Sequence, residues 1–449
     1  MTGIARRGVV QGAAALGALS ALKQSAAWAA DAARPYRVGV IGSGWFGKLD
    51  LFALMQIAPV QVVALCDLDS HMLSEAADKV MARPDSLVRP RRPPALYHDF
   101  REMLASDQLD IVIVATPDHW HALPALAAIN AGAHVYLEKP ITVDVREGEA
   151  LVAAARAKNR VVQVGTQRRT SPFTLEARHR VLDAGLLGKV SHVETYCYFH
   201  QRPPQFPPPT SPPETLDWDF YCGPAPRIDY IPGMHPRDWR SFEGFGNGYM
   251  GDVGVHMIDL SRFLLRLGAP KRIFCEGGIL VDTKSAATVP DTQMATWEFD
   301  DCVMTWTNRQ WGRPPDGEQW GTSLHGERGT LKLFNAGYQF LPLEGEGFGM
   351  QLPLELEQFP NDRVTMQDWE WPLAAITRYH MRDFLNAIAH RTLPAADIEE
   401  GHISTSCCVL ANTAMKLGRS LNWDGHHVIG DDEADRALAR PYRAPWVHP

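Results

Sequence analysis

Six consecutive residues near the beginning of the chain have the spacing of a phosphate-binding loop. They read G-S-G-W-F-G and are Gly42, Ser43, Gly44, Trp45, Phe46 and Gly47. In such a loop the first glycine allows a tight turn, the second lets the backbone approach a pyrophosphate, and the third lets a helix pack against a strand. Free N–H groups at the start of that helix then bind the anion. The spacing therefore predicts a site for the pyrophosphate of a dinucleotide.

An acidic residue follows at the position that such a site requires. Asp67 lies 20 residues after Gly47 and directly follows an apolar stretch, residues 60–66, that is typical of a strand. A carboxylate there accepts hydrogen bonds from the hydroxyls of the adenosine ribose and repels a 2′-phosphate. The order of elements is that of a dinucleotide-binding unit: a strand over residues 36–41, the glycine loop, a helix ending near residue 57, the second strand and the acid. This order therefore predicts NAD as the cofactor, with NADP less favoured.

The alternation of strands and helices continues through the first third of the chain. Apolar strands are expected at residues 111–115, 134–137 and 161–164, with helices at 122–131 and 145–158 between them. Ligands of parallel sheets bind beyond the carboxyl ends of the strands. The residues at those ends that we expect near the cofactor are Thr116, Pro117, His121, Glu138, Lys139 and Gln167.

The second half of the chain carries a spaced pair of polar residues. Asp252 and His256 stand four positions apart at the start of an amphipathic helix expected over residues 253–267, so they share one face of it. The pKa of histidine near neutrality suits this residue to proton transfer. Taken alone, Asp-x-x-x-His is commonplace, and an aspartate at a helix start can simply cap the helix.

A proline-rich segment and an aromatic segment precede that pair. Residues 202–214 contain seven prolines and are expected to form an extended loop. Aromatic residues crowd the stretch 218–240, and their faces suit packing against a sugar ring or filling a seam between domains. The candidate substrate contacts are Arg168, Tyr230, His235, Trp239 and Arg240.

Four motifs together resemble one known family. G-S-G-W-F-G (42–47), T-P-D-H-W-H (116–121), E-K-P (138–140) and G-D-V-G-V-H (251–256) are similar to motifs of the Gfo/Idh/MocA oxidoreductases, which include glucose–fructose oxidoreductase and inositol dehydrogenase. The resemblance implies an α/β fold class, with an N-terminal Rossmann domain followed by an α/β domain that has a large, mostly antiparallel sheet. In the family, the open face of that sheet often forms a homodimer or homotetramer.

The resemblance also implies a reaction and a role for three residues. The family moves a hydride between a CH–OH group of a sugar or polyol and the nicotinamide of NAD(P). By resemblance, His256 takes the proton of the substrate hydroxyl, Lys139 hydrogen-bonds the reacting oxygen, and Asp252 binds the substrate or orients the imidazole. The implied partner is a small carbohydrate, and the cofactor can stay tightly bound while it cycles between two sugars.

Two other functions stay open at this stage. A glycosidase branch of the same superfamily oxidises a sugar transiently, eliminates the glycoside and reduces the product. That branch lacks the lysine of E-K-P, so Lys139 disfavours it. A non-catalytic protein that binds a sugar or a nucleotide is disfavoured because Lys139, Asp252 and His256 are all present.

The chain is expected to divide into four segments. These are a signal peptide (1–29), a dinucleotide-binding domain (35–164), a C-terminal α/β substrate and oligomerisation domain (165–430) and a tail (431–449). The helices expected in the third segment lie at 173–184, 373–390 and 401–417. Its expected strands lie at 190–199, 272–281, 292–298, 303–308, 320–325 and 330–334.

The N-terminal segment has the features of an export signal. Arg6 and Arg7 precede an apolar run (8–22), and Ala27-Trp28-Ala29 has the form of a cleavage site. The paired arginines resemble a twin-arginine signal, which implies export of the folded protein to the periplasm by the twin-arginine machinery. An ordinary signal peptide with incidental arginines is the alternative. No later stretch reaches about 18 continuous apolar residues, so no membrane span is expected.

Composition excludes several classes of protein. The 449 residues include 45% hydrophobic and 21% charged residues, which excludes a disordered chain. The formal charge of −8 gives no excess of basic residues that would indicate binding to nucleic acid. The seven cysteines include no C-x-x-C and are expected to be small core residues. His119 and His121 flank Trp120 without a third ligand at a fitting spacing, so no metal is expected.

Overall fold

The computed structural model describes residues 34–198, 205–314, 318–363 and 373–449. The predicted signal peptide lies outside these ranges. Among the described residues, no helix combines the length and the apolarity needed to cross a membrane.

A six-stranded parallel sheet organises the first part of the chain. Its strands are β1 (Tyr36–Ile41), β2 (Val60–Cys66), β3 (Ala95–Tyr97), β4 (Ile111–Val114), β5 (His134–Leu137) and β6 (Val162–Val164). They pair in the order β3-β2-β1-β4-β5-β6, and all of these pairs are parallel. The strand order reverses between β1 and β4, and this reversal opens a crevice at the carboxyl ends of the strands.

Helices cover both faces of this sheet. They are α1 (Trp45–Ile57), α2 (Ser70–Ala82), α3 (Phe100–Ser106), α4 (Ala122–Asn130) and α5 (Val145–Lys158). Ile111 and Ile113 pack into the apolar core on one face, whereas Val112 and Val114 pack into the core on the other. Burial on both faces explains why β4 is apolar at every position. Carboxylates cap the first backbone N–H groups of α2, α3 and α5, and they belong to Asp69, Asp99 and Asp144.

A nine-stranded sheet forms the second part of the chain. Its strands are β7 (Val190–Cys197), β8 (Arg272–Gly278), β9 (Thr292–Glu298), β10 (Val303–Arg309), β11 (Trp320–Gly326), β12 (Gly329–Phe334), β13 (Gly337–Pro342), β14 (Phe348–Gln351) and β15 (Leu421–Asn422). They pair in the order β14-β13-β12-β11-β7-β10-β9-β8-β15. β7 and β10 pair in parallel, and the other neighbours are antiparallel. The predicted α/β fold with a mostly antiparallel second sheet is confirmed.

Six further α-helices follow the first sheet in the described part of the chain. They are α6 (Pro172–Ala177), α7 (Trp218–Cys222), α8 (Val255–Leu265), α9 (Leu373–His390), α10 (Ile398–Leu417) and α11 (Asp432–Arg436). Phe384 of α9 shares a core with Phe52 of the first domain. Gly401 of α10 lies so close to β6 that an added Cβ would come within 2.5 Å of the Val164 side chain. Further along α10, Leu410 packs beneath the second sheet.

The strand predicted over residues 272–281 is too long. β8 ends at Gly278, whereas the apolar pattern predicted a strand to residue 281. The carboxylate of Asp291 accepts the backbone N–H groups of the residues that follow and folds them into a loop. Those residues are Leu280, Val281 and Asp282.

Residues 205–246, named here the bridging segment, extend from the second domain back to the first. The N–H of Ser70 donates to the carbonyl of Thr215 at 2.9 Å, and the N–H of Asp217 donates to the carbonyl of Leu68 at 3.1 Å. Aromatic residues of the segment form an apolar cluster of their own. These contacts hold the bridging segment against the loop that follows β2.

The C-terminal tail also folds back onto the first domain. Trp446 packs edge-on against Trp120 with ring centroids 4.7 Å apart. His448 donates from Nε2 to the carboxylate of Asp144 at 2.8 Å. These contacts anchor the tail near the start of α5.

The seven cysteines are packing residues, as predicted. All of them are buried and unpaired. Cys407 and Cys408 lie in the core beneath the second sheet. Burial raises the pKa of the Cys407 thiol to about 12, so the thiol stays protonated and unreactive.

Candidate active site

The three glycines of the phosphate-binding loop differ in what surrounds them. Gly42 has φ +89°, and a Cβ there would lie 2.6 Å from the carbonyl carbon of Ala115. A Cβ on Gly47 would lie 2.0 Å from the carbonyl oxygen of Gly42, whereas one on Gly44 would meet no described atom within 4 Å. A dinucleotide pyrophosphate requires a tight turn at the first glycine, open space at the second and a close approach of helix and strand at the third. The loop fits the predicted cofactor.

A cavity of about 410 Å³ extends from this loop along the crevice of the parallel sheet. The first domain lines one side of it and the bridging segment lines the other. The predicted site residues that line it are Gly42, Gly44, Trp45, Phe46, Asp67, Thr116, Pro117, His121, Glu138, Lys139, His235, Trp239 and Arg240. The predicted residues that lie behind or beside this lining are Ser43, Gly47, Gln167, Arg168, Tyr230, Asp252 and His256.

Asp67 stands at the end of β2, beside the glycine loop. Its Oδ2 accepts hydrogen bonds from the backbone N–H of Ser43 at 2.7 Å and from the Ser43 hydroxyl at 3.1 Å. Its Oδ1 accepts the N–H of Asp69 at 3.0 Å. These contacts orient the carboxylate at the cavity wall, where the ribose of a bound dinucleotide would lie.

His121 joins two of the strand-end loops. Its Nδ1 lies 2.6 Å from the carbonyl oxygen of Pro140, and its Nε2 lies 2.9 Å from that of Thr116. Burial lowers the pKa of His121 to about 4, although the contacts with the carbonyls of Pro140 and Thr116 oppose this shift. The neighbouring His119 lies with Nε2 2.8 Å from the carbonyl oxygen of Tyr221. Both histidines therefore make structural contacts at the cavity end of β4.

Glu138, the first residue of E-K-P, lines the cavity and is held in place by neighbouring residues. Its Oε1 accepts a hydrogen bond from Gln167 Nε2 at 3.2 Å. Gly165 passes so close that an added Cβ would lie 2.0 Å from the same oxygen. Burial raises the pKa of Glu138 to about 7, although the neighbouring Lys139 opposes this shift. Gln167 therefore acts through Glu138 and does not line the cavity itself.

Lys139 and Asp252 form the ion pair of the predicted catalytic set. Lys139 Nζ donates to Asp252 Oδ1 at 2.9 Å and to the Asp252 backbone carbonyl at 2.8 Å. The other carboxylate oxygen, Oδ2, pairs with Arg240 Nε at 3.2 Å. Burial alone would raise the pKa of Asp252, but Arg240 and Lys139 together hold it well below its usual value. The ionised carboxylate therefore holds both cations at one end of the cavity.

His256 follows Asp252 along the chain, at the start of α8. The predicted helix is wrong in its first turn, because Met250–Gly254 form a π-helical turn and α8 begins only at Val255. Such wide turns often occur at functional sites. Burial, with Lys139 and Arg168 nearby, lowers the pKa of His256 far below its ordinary value, so the ring is neutral. Its Nδ1 has no hydrogen-bond partner among the described residues.

Arg168 acts on His256 from behind and does not line the cavity. Its guanidinium lies 4.2 Å from the ring centroid of Trp320, and that ring meets His256 edge-on with centroids 6.1 Å apart. The guanidinium also donates to the backbone carbonyl of Asn335 at 3.0 Å and to its side-chain oxygen at 3.1 Å. Burial lowers the pKa of Arg168 to about 9.

One predicted substrate contact lies outside the cavity, and one residue that was not predicted lines it. Tyr230 packs edge-on against Trp218 in the aromatic cluster of the bridging segment, with centroids 5.0 Å apart, and does not reach the cavity. Asp118, which the sequence analysis did not select, lines the cavity. Burial raises the pKa of Asp118 to about 8, although the positive charges of Arg240 and Lys139 act to lower it. Its position at a strand end, two residues after Thr116, was the available signal.

Three family models match the chain in succession. The oxidoreductase family with an NAD-binding Rossmann fold matches residues 36–166. A GFO/IDH/MocA C-terminal domain matches residues 175–332, and an oxidoreductase-family C-terminal alpha/beta domain matches residues 357–448. The chain belongs to the Gfo/Idh/MocA oxidoreductase family. The resemblance found in the four motifs is confirmed.

Curated relatives of this Gfo/Idh/MocA chain match parts of its length. The scyllo-inositol 2-dehydrogenase (NADP(+)) IolW of Bacillus subtilis (strain 168) is 26% identical over 254 residues, which are 56% of this chain and 57% of that enzyme. A glycosyl hydrolase family 109 protein of Stenotrophomonas maltophilia (strain K279a) is 36% identical over 138 residues, 31% of this chain and 30% of that protein. The chain thus spans little more than half of the first relative and less of the second.

A solved structure shows the same fold over most of the chain. The inositol dehydrogenase homologue of Azotobacter vinelandii, solved with NADH and myo-inositol, superposes with a TM-score of 0.64. The superposition covers 87% of this chain and 98% of that one, at 20% sequence identity. At this identity the likeness establishes the architecture and leaves the substrate to the residues of the site.

Proposed function

We propose that this chain is an NAD-dependent dehydrogenase that oxidises a CH–OH group of a sugar or polyol. The observation that carries the proposal is the Lys139–Asp252 ion pair, 2.9 Å long, at the cavity that begins at the glycine loop. A dinucleotide with its pyrophosphate at that loop would extend along the strand ends toward Lys139. The inositol dehydrogenase relative and the neighbour bound to NADH and myo-inositol support the substrate class.

Oxidation removes a hydride from the substrate carbon and a proton from its hydroxyl. The nicotinamide supplies the hydride acceptor when the cofactor is bound. Lys139 donates a hydrogen bond to the reacting oxygen and stabilises the negative charge that develops there. His256, neutral at the pH of the reaction, accepts the hydroxyl proton. Asp252 holds Lys139 in position.

The cleft favours NAD over NADP and favours slow release of the cofactor. Asp67 presents a carboxylate where the 2′-phosphate of NADP would lie. The bridging segment, with His235, Trp239 and Arg240, lines the side of the cavity opposite the glycine loop. We therefore expect NAD to stay bound between turnovers, so that the oxidation of one carbohydrate is coupled to the reduction of another.

A glycosidase that works through transient oxidation is the second candidate. The relative named glycosyl hydrolase family 109 protein favours it. Lys139 opposes it, because the resemblance places that lysine in the dehydrogenase branch. Both functions need NAD and both begin with removal of a hydride, so they differ in their products.

One experiment separates these functions. The mature protein is purified without added nucleotide, its absorbance is read for bound nicotinamide, and it is then given free sugars, polyols and aryl glycosides. Appearance of reduced cofactor with a free sugar or polyol supports the dehydrogenase. Release of the aglycone without net reduction supports the glycosidase. Failure to bind NAD or NADP contradicts both.

We also propose that the protein is exported to the periplasm by the twin-arginine machinery. Arg6-Arg7, the apolar run and Ala27-Trp28-Ala29 support this route. Replacing both arginines with lysines should leave uncleaved protein in the cytoplasm, as measured by cell fractionation. A normal periplasmic yield of this variant would contradict the route and favour general secretion.

A homodimer or homotetramer joined through the open face of the second sheet is proposed as well. Phe274 and Met294 on β8 and β9 are 42% and 54% exposed on that face and offer apolar contact area. Met294→Glu should lower the molar mass measured by light scattering. A monomeric mass for the unmodified protein would contradict the proposal.

A further inference from the structure

Two histidines and a glutamate come together on the open face of the second sheet. β7 and β11 are antiparallel neighbours, and His192 stands directly opposite His325 in their register. Glu194 follows two residues after His192, so its side chain projects from the same face. One ligand atom from each of the three residues lies within 4.8 Å of the other two. The pairing of strands thus gathers three metal-ligating groups from distant parts of the chain.

The three side chains are close together and accessible to solvent. The rings of His192 and His325 stack with centroids 5.4 Å apart and an interplanar angle of 20°. His325 donates from Nε2 to Glu194 Oε2 at 2.9 Å. The His325 side chain is 36% exposed and that of Glu194 is 53% exposed. In the single chain, an ion from solvent can therefore reach the group without a rearrangement of the backbone. The group lies on the same face of the sheet as the proposed contact between chains, so the ion would bind before or within that contact.

Threonine hydroxyls on the flanking strands orient the two rings. Thr330 of β12 lies with Oγ1 3.2 Å from His325 Nδ1, and Thr305 of β10 lies with Oγ1 3.4 Å from His192 Nε2. Each ring thus has one nitrogen beside a hydroxyl. The second nitrogen of His325 faces Glu194 in the metal-free chain, and a bound ion would take the place of the proton between them. Metal-binding histidines characteristically have their other nitrogen hydrogen-bonded in this way.

A second group of three possible metal ligands differs in the hydrogen bonds that its atoms make. The ligand atoms of Asp144, Glu147 and His448 also lie within 4.8 Å of one another. The Asp144 carboxylate, however, accepts hydrogen bonds from the backbone N–H groups of Arg440 and Glu147 and from His448. The Glu147 carboxylate accepts the N–H of Val143. Those groups satisfy one another and anchor the tail.

We propose that His192, Glu194 and His325 bind one divalent transition-metal ion, of the class of Zn²⁺, with water in the remaining position. Two imidazoles and a carboxylate are a ligand set that Zn²⁺ accepts, and they also suit Cu²⁺ and Ni²⁺. Bonds of about 2.0 Å place tetrahedral ligand atoms roughly 3.3 Å apart. Rotation of exposed side chains closes the present separations to that value. The site is independent of the proposed dehydrogenase activity, since none of its residues lines the cofactor cavity.

The full chain, purified without a histidine tag and stripped of metal, tests the proposal by calorimetric titration with ZnCl₂. We expect one ion per chain with a micromolar Kd, and a visible absorption spectrum of tetrahedral Co²⁺ when Co²⁺ replaces it. His192→Ala and His325→Ala should each weaken binding about tenfold or more, and Glu194→Gln should weaken it less. His179→Ala, an exposed histidine on the π-helical turn Arg178–Asp183, is the matched control and should bind as the unmodified chain does.

Thermal unfolding provides an independent readout. An ion that binds only the folded chain raises the Tm. Saturating Zn²⁺ should therefore raise the Tm of the unmodified chain and of His179→Ala, but not that of a His192→Ala/His325→Ala double variant with unchanged metal-free Tm. Equal affinity for Zn²⁺ in this double variant and the unmodified chain would overturn the proposal. So would the absence of measurable binding by the unmodified chain.

Discussion

His235 of the bridging segment donates a hydrogen bond from Nε2 to Asp69 Oδ2 over 2.9 Å. Burial alone would raise the pKa of Asp69, but hydrogen bonds from His235, Thr215 and the N–H of His71 lower it, so the carboxylate is ionised. The N–H of Asp69 in turn donates to Asp67 at 3.0 Å. A chain of hydrogen bonds thus connects the predicted ribose-binding carboxylate to the opposite wall of the cavity.

His235→Ala should accelerate release of NADH. The substitution removes a hydrogen bond to a charged group, which contributes about 1.5–3 kcal/mol, so the bridging segment should separate from the first domain more often. We expect the release rate, measured by stopped-flow fluorescence, to rise about tenfold or more. His426→Ala, at an exposed histidine between β15 and α11, should release NADH at the original rate. If NADH binds and both variants release it equally slowly, His235 does not retain the cofactor.

Lys139→Ala should abolish most turnover while leaving cofactor binding nearly intact. In the proposed function, the glycine loop and Asp67 would hold the dinucleotide at its other end, whereas Lys139 would contact the reacting oxygen. Loss of such a donor costs about 10²–10³ in kcat. The measurements are NADH affinity and kcat on the best substrate found, with the exposed Lys284→Ala as control. Near-normal kcat for Lys139→Ala would place the active site elsewhere and leave the fold assignment standing.

Asp67→Ala should narrow the preference for NAD over NADP. In the proposed site the carboxylate would repel a 2′-phosphate and accept hydrogen bonds from the ribose, so its removal should weaken NAD binding and strengthen NADP binding. Dissociation constants for both nucleotides provide the measurement. Asp78→Ala, an exposed acid on α2, should leave their ratio unchanged. Equal constants for the two nucleotides in the unmodified protein would contradict the role of Asp67.

Arg168→Gln should move the acid limb of the pH profile of kcat/KM to higher pH. Burial, Lys139 and Arg168 lower the pKa of His256, so its base form persists below the pH at which an ordinary histidine protonates. Without the positive charge of Arg168 the pKa of His256 rises, and protonation then removes the base at a higher pH. A pH titration of kcat/KM measures the shift, with the exposed Arg180→Gln as control. A limb that stays in place or moves to lower pH would show that His256 is not the base.

Several elements were predictable because their signals are local. The bounds of β2, β5 and α5 agree with the sequence prediction at both ends. Each strand is an apolar run between turn residues, and α5 is a helical pattern preceded by an N-cap aspartate. The glycine loop belongs to the same class, since its three glycines are required by backbone geometry within a few residues. β13 and β14 were not predicted, because their pairing partners define them more clearly than their own short sequences do.

The sequence by itself determined the family and the cofactor class and proposed the residues of a catalytic set, since motifs and short-range periodicity record backbone requirements and burial. The tertiary structure alone decided which of those residues meet. Lys139 and Asp252 are 113 positions apart, and Arg168 reaches Asn335 across 167 positions, behind the cavity instead of in it. His192 and His325 became a candidate metal site for the same reason. Contacts of this kind depend on strand register and on the packing of the two sheets, and neither leaves a periodic signal along the chain.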